Sequence, residues 1–179
     1  MPAGGLPQLQ SLVLSSEPYK AMEPRWLAAD SCPQLTQLHL EGCQLPSLPA
    51  ELAALTGLVD LKIKNSRLFE EHGSAEALLP LSALQQLTRL ELGSYLLSSL
   101  PAAVLSLPAL QELDISHNDI QASLPFNSST ITRLVLDDDA LLASVKQLTG
   151  LAALRSLHVV ETGTGLLEAM NVKKFDIIT

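Results

Sequence analysis

The chain has 179 residues and a formal net charge of −8, with 47% hydrophobic residues but only 3% aromatic ones. Gripping a nucleic-acid backbone takes clustered Lys and Arg, so this acidic balance argues against nucleic acid as a partner. No apolar run approaches the ~20 residues needed to cross a bilayer, which argues against membrane insertion.

The first predicted element is the frame Leu9-x-x-Leu12-x-Leu14. The same L-x-x-L-x-L pattern returns with its middle residue at Leu38, Leu61, Leu90, Leu113, Leu134 and Leu157, at intervals of 26, 23, 29, 23, 21 and 23 residues. A period of about 20–30 residues over nearly a whole chain is the mark of a solenoid. Within the frames apolar and polar residues alternate, as in Leu38-His39-Leu40-Glu41, Leu61-Lys62-Ile63-Lys64, Leu90-Glu91-Leu92-Gly93 and Leu113-Asp114-Ile115-Ser116. Each is therefore predicted to be a short strand with Leu and Ile on one face and polar side chains on the other. A doubly wound α/β sheet fits less well. Its strands are covered on both faces and read as continuous apolar runs, and its βαβ unit needs about 30 residues or more.

The segments between frames carry a second pattern. Leu48-Pro49-Ala50-Glu51-Leu52 and Leu100-Pro101-Ala102-Ala103-Val104 share one phase of the repeat. Each predicts a short helix with Pro at its first position, where a missing N–H costs nothing, and one apolar edge on the core. Two intervals are long. The insertion at 17–26 ends on the single Trp26, placed to cover the apolar end of the first coil. The insertion at 69–80 predicts a convex helix starting near Ser74, with Glu76 near its positive end. A docking loop is the alternative there. Near the C-terminus, 172–177 repeats the frame in part with Phe175 at the anchor. It is expected either to cap the sheet edge or to belong to a longer solenoid cut mid-coil.

These frames, with Leu110-x-x-Leu113-x-Ile115-x-x-Asn118-x-Ile120 as the clearest copy, resemble the leucine-rich repeat family in its typical intracellular form of about 23 residues. The resemblance implies an α/β solenoid: a right-handed coil with a parallel concave β-sheet and short helical or irregular convex segments. The match runs from about Leu9 to Thr162, and 1–179 is expected to form one domain of about seven repeats. The resemblance also implies binding to other proteins through the concave face. The family's Asn position is poorly kept, reading Glu17, Cys43, Ser66, Tyr95, Asn118, Asp139 and Thr162. An amide there serves turn backbone that has no ladder partners. Ser66, Thr162 and, weakly, Cys43 can still donate, so irregular turns are expected at Glu17, Tyr95 and Asp139.

In-register strands place equal phases in columns. The column before the anchors reads Ser11, Gln37, Asp60, Arg89, Glu112, Arg133, Ser156, and its alternating centre predicts a self-neutralising ladder. The column after them reads Val13, His39, Lys62, Glu91, Asp114, Val135, His158. Like charges at Glu91 and Asp114 on neighbouring strands are unfavourable. With Glu112 and Asp137 nearby, they suggest an acidic spot that receives a partner's Lys or Arg. A merely solvated acidic surface is the alternative. Glu91, Asp114, Asp137, Glu112, Lys62 and His39 are the candidate contact residues.

Chemistry is not indicated. Asp137-Asp138-Asp139 lacks the loop pattern of a calcium site. Cys43 is expected to be buried at a turn with no base in reach. His39 and His158 stand roughly 24 Å apart by strand spacing, too far to share a metal or proton. No cofactor, metal or enzymatic activity is therefore expected. With only Cys32 and Cys43 there is no disulfide-rich cap, and Met1-Pro2-Ala3-Gly4-Gly5 is unlike a signal peptide. Both features point to a cytoplasmic protein. The leading expectation is a non-catalytic protein-interaction module with a protein partner of basic character. The alternatives are a structural part of a cytoskeletal or axonemal assembly, and the sensing fragment of a larger receptor or enzyme.

Overall fold

The computed structural model describes residues 6–15, 32–43, 48–64, 75–93, 97–100, 102–105, 107–120, 128–137, 139–141 and 148–160. Seven strands, β1 (Ser11–Ser15), β2 (Gln37–Glu41), β3 (Asp60–Lys64), β4 (Arg89–Gly93), β5 (Glu112–Asp114), β6 (Arg133–Asp137) and β7 (Ser156–Val160), form one parallel sheet in sequence order. Each anchor pairs with the next, from Leu12↔Leu38 through to Leu134↔Leu157. The expected columns are thus real. The sheet is open, with no closure of β7 on β1, and the architecture is a solenoid whose concave wall is this sheet.

The same small set of bonds recurs at each strand entry. The carbonyl two residues before an anchor accepts two successive N–H groups of the next coil. Gln10 receives Thr36 and Gln37, Thr36 receives Val59 and Asp60, and the pattern continues to Thr132 receiving Arg155 and Ser156. Thr36, Thr88 and Thr132 add their hydroxyls to the carbonyls of Gln10, Val59 and Gln111 at 3.1–3.2 Å. A short polar side chain at this phase thus strengthens the seam between coils.

The convex side carries the short helical segments expected, and among the described residues most are 3₁₀ turns. Leu52, Leu55 and Leu58 are buried, and Leu55 and Leu58 each donate their N–H to the leucine carbonyl three residues back, at 3.0 Å. The same chain of i→i−3 bonds joins Leu81, Leu84 and Leu87, then Val104, Leu107 and Leu110, then Leu148, Leu151 and Leu154. Three residues per turn keep every third side chain on one edge, so a period of three in leucine suffices to face the core. Pro49 is the extended residue that precedes the 3₁₀ helix Ala50–Ala54, with ψ 139°, and not its first residue. A short α-helix, Ala102–Leu105, fills the equivalent place in a later coil.

In the second insertion a helix does begin close to Ser74, at Ala75. It is a 3₁₀ helix, Ala75–Ala83, with Pro80 inside it. The 17–26 insertion with Trp26, residues 69–74, the turn positions Glu17, Ser66, Tyr95 and Thr162, and the partial frame at 172–177 with Phe175 lie outside the described residues.

The core is one stack of leucine and isoleucine. Leu38, Leu61, Leu90, Leu113 and Leu134 are buried to within 1% of complete. Burying a Leu stabilises by about 1.5–3 kcal/mol relative to leaving it exposed. At the first strand that protection fails: Leu12 and Leu14 are only half-buried, and Val13 is 60% exposed. No helix among the described residues is long and apolar enough to cross a membrane.

Candidate functional site

Alternation along β3 to β6 sends the anchors inward and leaves the intervening side chains on the concave face. Over the middle of that face lies an open depression of about 360 Å³, whose charged lining is Lys62, Arg89, Glu91, Glu112, Asp114 and Arg133. Three cations and three carboxylates therefore meet there.

The expected acidic spot is compensated from a direction that column reading does not show. Glu91 takes the Lys64 ammonium from the adjacent strand and the diagonal position, as well as Lys62 at 3.9 Å. Glu91 beside it raises the Lys64 pKa above its ordinary value. Asp114 turns partly to its own strand end: its Oδ1 accepts the Ser116 N–H at 3.0 Å and the Ser116 hydroxyl at 2.7 Å. Asp137 departs furthest from the expectation. It is 2% exposed, and its two oxygens accept the backbone N–H groups of His117 and Asn118, each at 2.9 Å. A carboxylate so used holds a turn of the preceding coil. Its proximity in sequence to the concave column hid this, because the side chain at the strand's last position reaches sideways.

The expected ladder forms in part. Arg89 and Glu112 pair at 2.7 Å, and Glu112 raises the Arg89 pKa further. Asp60 lies 3.6 Å from His39 Nε2, outside hydrogen-bond range, and among the described residues neither that nitrogen nor Asp60 Oδ1 has a hydrogen-bond partner. Arg133 is exposed and makes no ion pair among the described residues. The residues missed from sequence are thus Lys64 and Arg133. Diagonal neighbours on adjacent strands, two positions along, were the available signal.

At the turns, the Asn position behaves as its chemistry dictates. Asn118 Nδ2 donates to the carbonyls of Leu92 at 2.7 Å and Ile115 at 2.8 Å, while its Oδ1 accepts the Leu97 N–H at 3.2 Å. Cys43, fully buried at the same phase, donates weakly to Leu14 and Glu41 carbonyls at 3.8 and 3.5 Å. Burial pushes its thiol pKa up, so it stays protonated as a donor. Asp139, exposed, begins a helical turn.

A family model described as Leucine Rich Repeat matches residues 109–131, the coil that holds Asn118. Among solved structures the chain is similar to a leucine-rich repeat protein of Leptospira interrogans, with a TM-score of 0.56 and 22% identity. One coil thus matches a leucine-rich repeat, and the fold over most of the chain is that of a leucine-rich repeat solenoid. The likeness covers 87% of this chain but only 37% of that one, so this chain spans little more than a third of the neighbour's length. No curated protein matches the sequence. The matched repeat is the one whose Asn118 satisfies both its own turn and the coil before it. Among the described residues, no three His, Cys, Asp or Glu side chains gather as a metal set.

Proposed function

We propose that this leucine-rich repeat chain is a non-catalytic module that binds a protein partner through its concave sheet. The observation that carries this reading is the one-sided sheet itself. Six of the seven strands bury their anchor leucines, and the sheet holds the alternate side chains in straight columns. Side chains fixed on a stiff sheet lose little freedom on binding, so less of the interaction energy goes into ordering them. Proteins with this fold commonly mediate protein–protein interaction, and a mid-face depression rich in both charges supports recognition by complementary charge.

The proposed contact residues are His39, Lys62, Glu91, Glu112 and Asp114, with Asp137 supporting them by fixing the turn beside Asp114. The net charge of −8 supports a partner with a basic surface. Two free, buried thiols support a reducing, cytoplasmic setting.

The test is affinity capture with the intact chain, followed by measuring each recovered partner against the double variant Glu91→Lys and Glu112→Lys. Neither side chain holds a turn, so the melting temperature should stay within a few degrees. Partner affinity is expected to fall at least ten-fold. An unchanged affinity in the folded variant overturns the concave face as the binding surface.

A further inference from the structure

Among the described residues, two charged groups of the depression, at diagonal positions of β5 and β6, lie outside its ion pairs. Glu112 is the register neighbour of Arg133, yet its carboxylate is drawn to Arg89 on the other side. The Arg133 guanidinium is left exposed, with no ion pair among the described residues. Asp114, one strand away and two positions along, commits only Oδ1 to Ser116. Among the described residues its Oδ2 accepts no hydrogen bond and forms no ion pair, although the Lys64 ammonium is near enough to feel its charge. Between them Val135, 8% exposed, gives the depression an apolar floor.

The spacing of this pair is set by the sheet. One strand spacing and two residues of rise put the Cα atoms of Arg133 and Asp114 roughly 8 Å apart. Side chains at i and i+2 of an extended chain lie on one face about 7 Å apart, so one extended segment can meet both groups at once. The three carboxylates lining the depression disfavour a phosphate-rich or purely anionic ligand, and the three cations disfavour a purely basic one.

Building on the concave-face reading, we propose that the depression accepts an extended protein segment with an acidic and a basic side chain two positions apart. The acidic group meets Arg133 and the basic group meets Asp114 Oδ2. The partner is thus selected by an ordered pair of opposite charges, and not by bulk basicity.

A displayed library of random dodecapeptides, panned on the intact chain, tests this. Enriched peptides are expected to carry Asp or Glu two positions from Lys or Arg. A synthetic copy of the best should bind Arg133→Glu at least ten-fold more weakly, and Asp114→Asn several-fold more weakly. Asn keeps the Oδ1 acceptor for Ser116, so the turn survives. Exchanging the peptide's acidic residue for Arg should restore binding to Arg133→Glu, which a general loss of structure cannot imitate. Peptides that lose binding on Glu91→Lys with Glu112→Lys, but lack the charge pair or ignore both single variants, overturn this inference and leave the concave face standing. A library that enriches nothing sensitive to any of these changes overturns both.

Discussion

Gly42 and His117 each stand four residues beyond a strand anchor, and both hold a left-handed backbone, at φ 66° and 60°. For glycine that conformation is free of steric cost, whereas an L side chain carries about 1–2 kcal/mol of strain there. The next coil receives the peptide N–H in both turns, but by different means. The Lys64 carbonyl accepts from Gly42 at 2.9 Å, while Asp137 accepts from His117 and then from Asn118. One position on, Cys43 gives two long sulfur contacts where Asn118 gives short amide bonds to Leu92 and Ile115. The coil geometry sets the demand, and side chains from the same or the following coil answer it. The β5 turn, whose own residue is strained, is the one with a buried carboxylate and an amide to hold it.

If that contrast is sound, the largest effect should come from Asp137→Ala. It strips two part-buried N–H groups of a charged acceptor and should cost about 3 kcal/mol in urea unfolding, with Asp137→Asn recovering part of the loss. Asn118→Ala should follow at about 2–3 kcal/mol, since water can replace some bonds at its half-buried site. An Asp137→Ala change below about 0.5 kcal/mol would mean that the carboxylate does not hold the turn.

The backbone half of the comparison is sharpened by a swap. Gly42→Ala should destabilise by about 1–2 kcal/mol, whereas His117→Gly should be neutral or slightly stabilising, relief of strain being offset by the freer unfolded chain. Equal responses at the two positions would break the equivalence drawn between them.

The smallest effect concerns Cys43, where Ala should cost about 1 kcal/mol or less. Because its folded pKa is raised, the thiol's contribution is fully present below the unfolded pKa. It declines as pH rises past that value towards the folded pKa, since only the unfolded state then ionises readily. Stability should therefore fall above about pH 8.5 in the wild type more than in Cys43→Ala.

Much of the face was legible in the residues themselves. Ser11 to Ser156 and Val13 to His158 line up across the strands as the Leu frame requires, because a slip of one residue would expose every leucine. The convex side was less legible. Leucines at 52, 55 and 58 fit an α-helical edge and a 3₁₀ edge almost equally, and only the bonds between their backbones separate the two. For the candidate site, the strand phases of Glu91 and Asp114 were right, but the acidic spot they suggested is balanced by Lys64 from a diagonal position.

The sequence by itself thus determined the solenoid, the strand register and which residues look outward, since these follow from a hydrophobic period repeated seven times. Only the tertiary structure decided what the outward charges do. A long side chain on a parallel sheet can reach along its column, across a diagonal or back to a turn. Packing and hydrogen bonding choose among these: Lys64 goes to Glu91, Glu112 goes to Arg89 and away from Arg133, and Asp137 is buried beneath a turn.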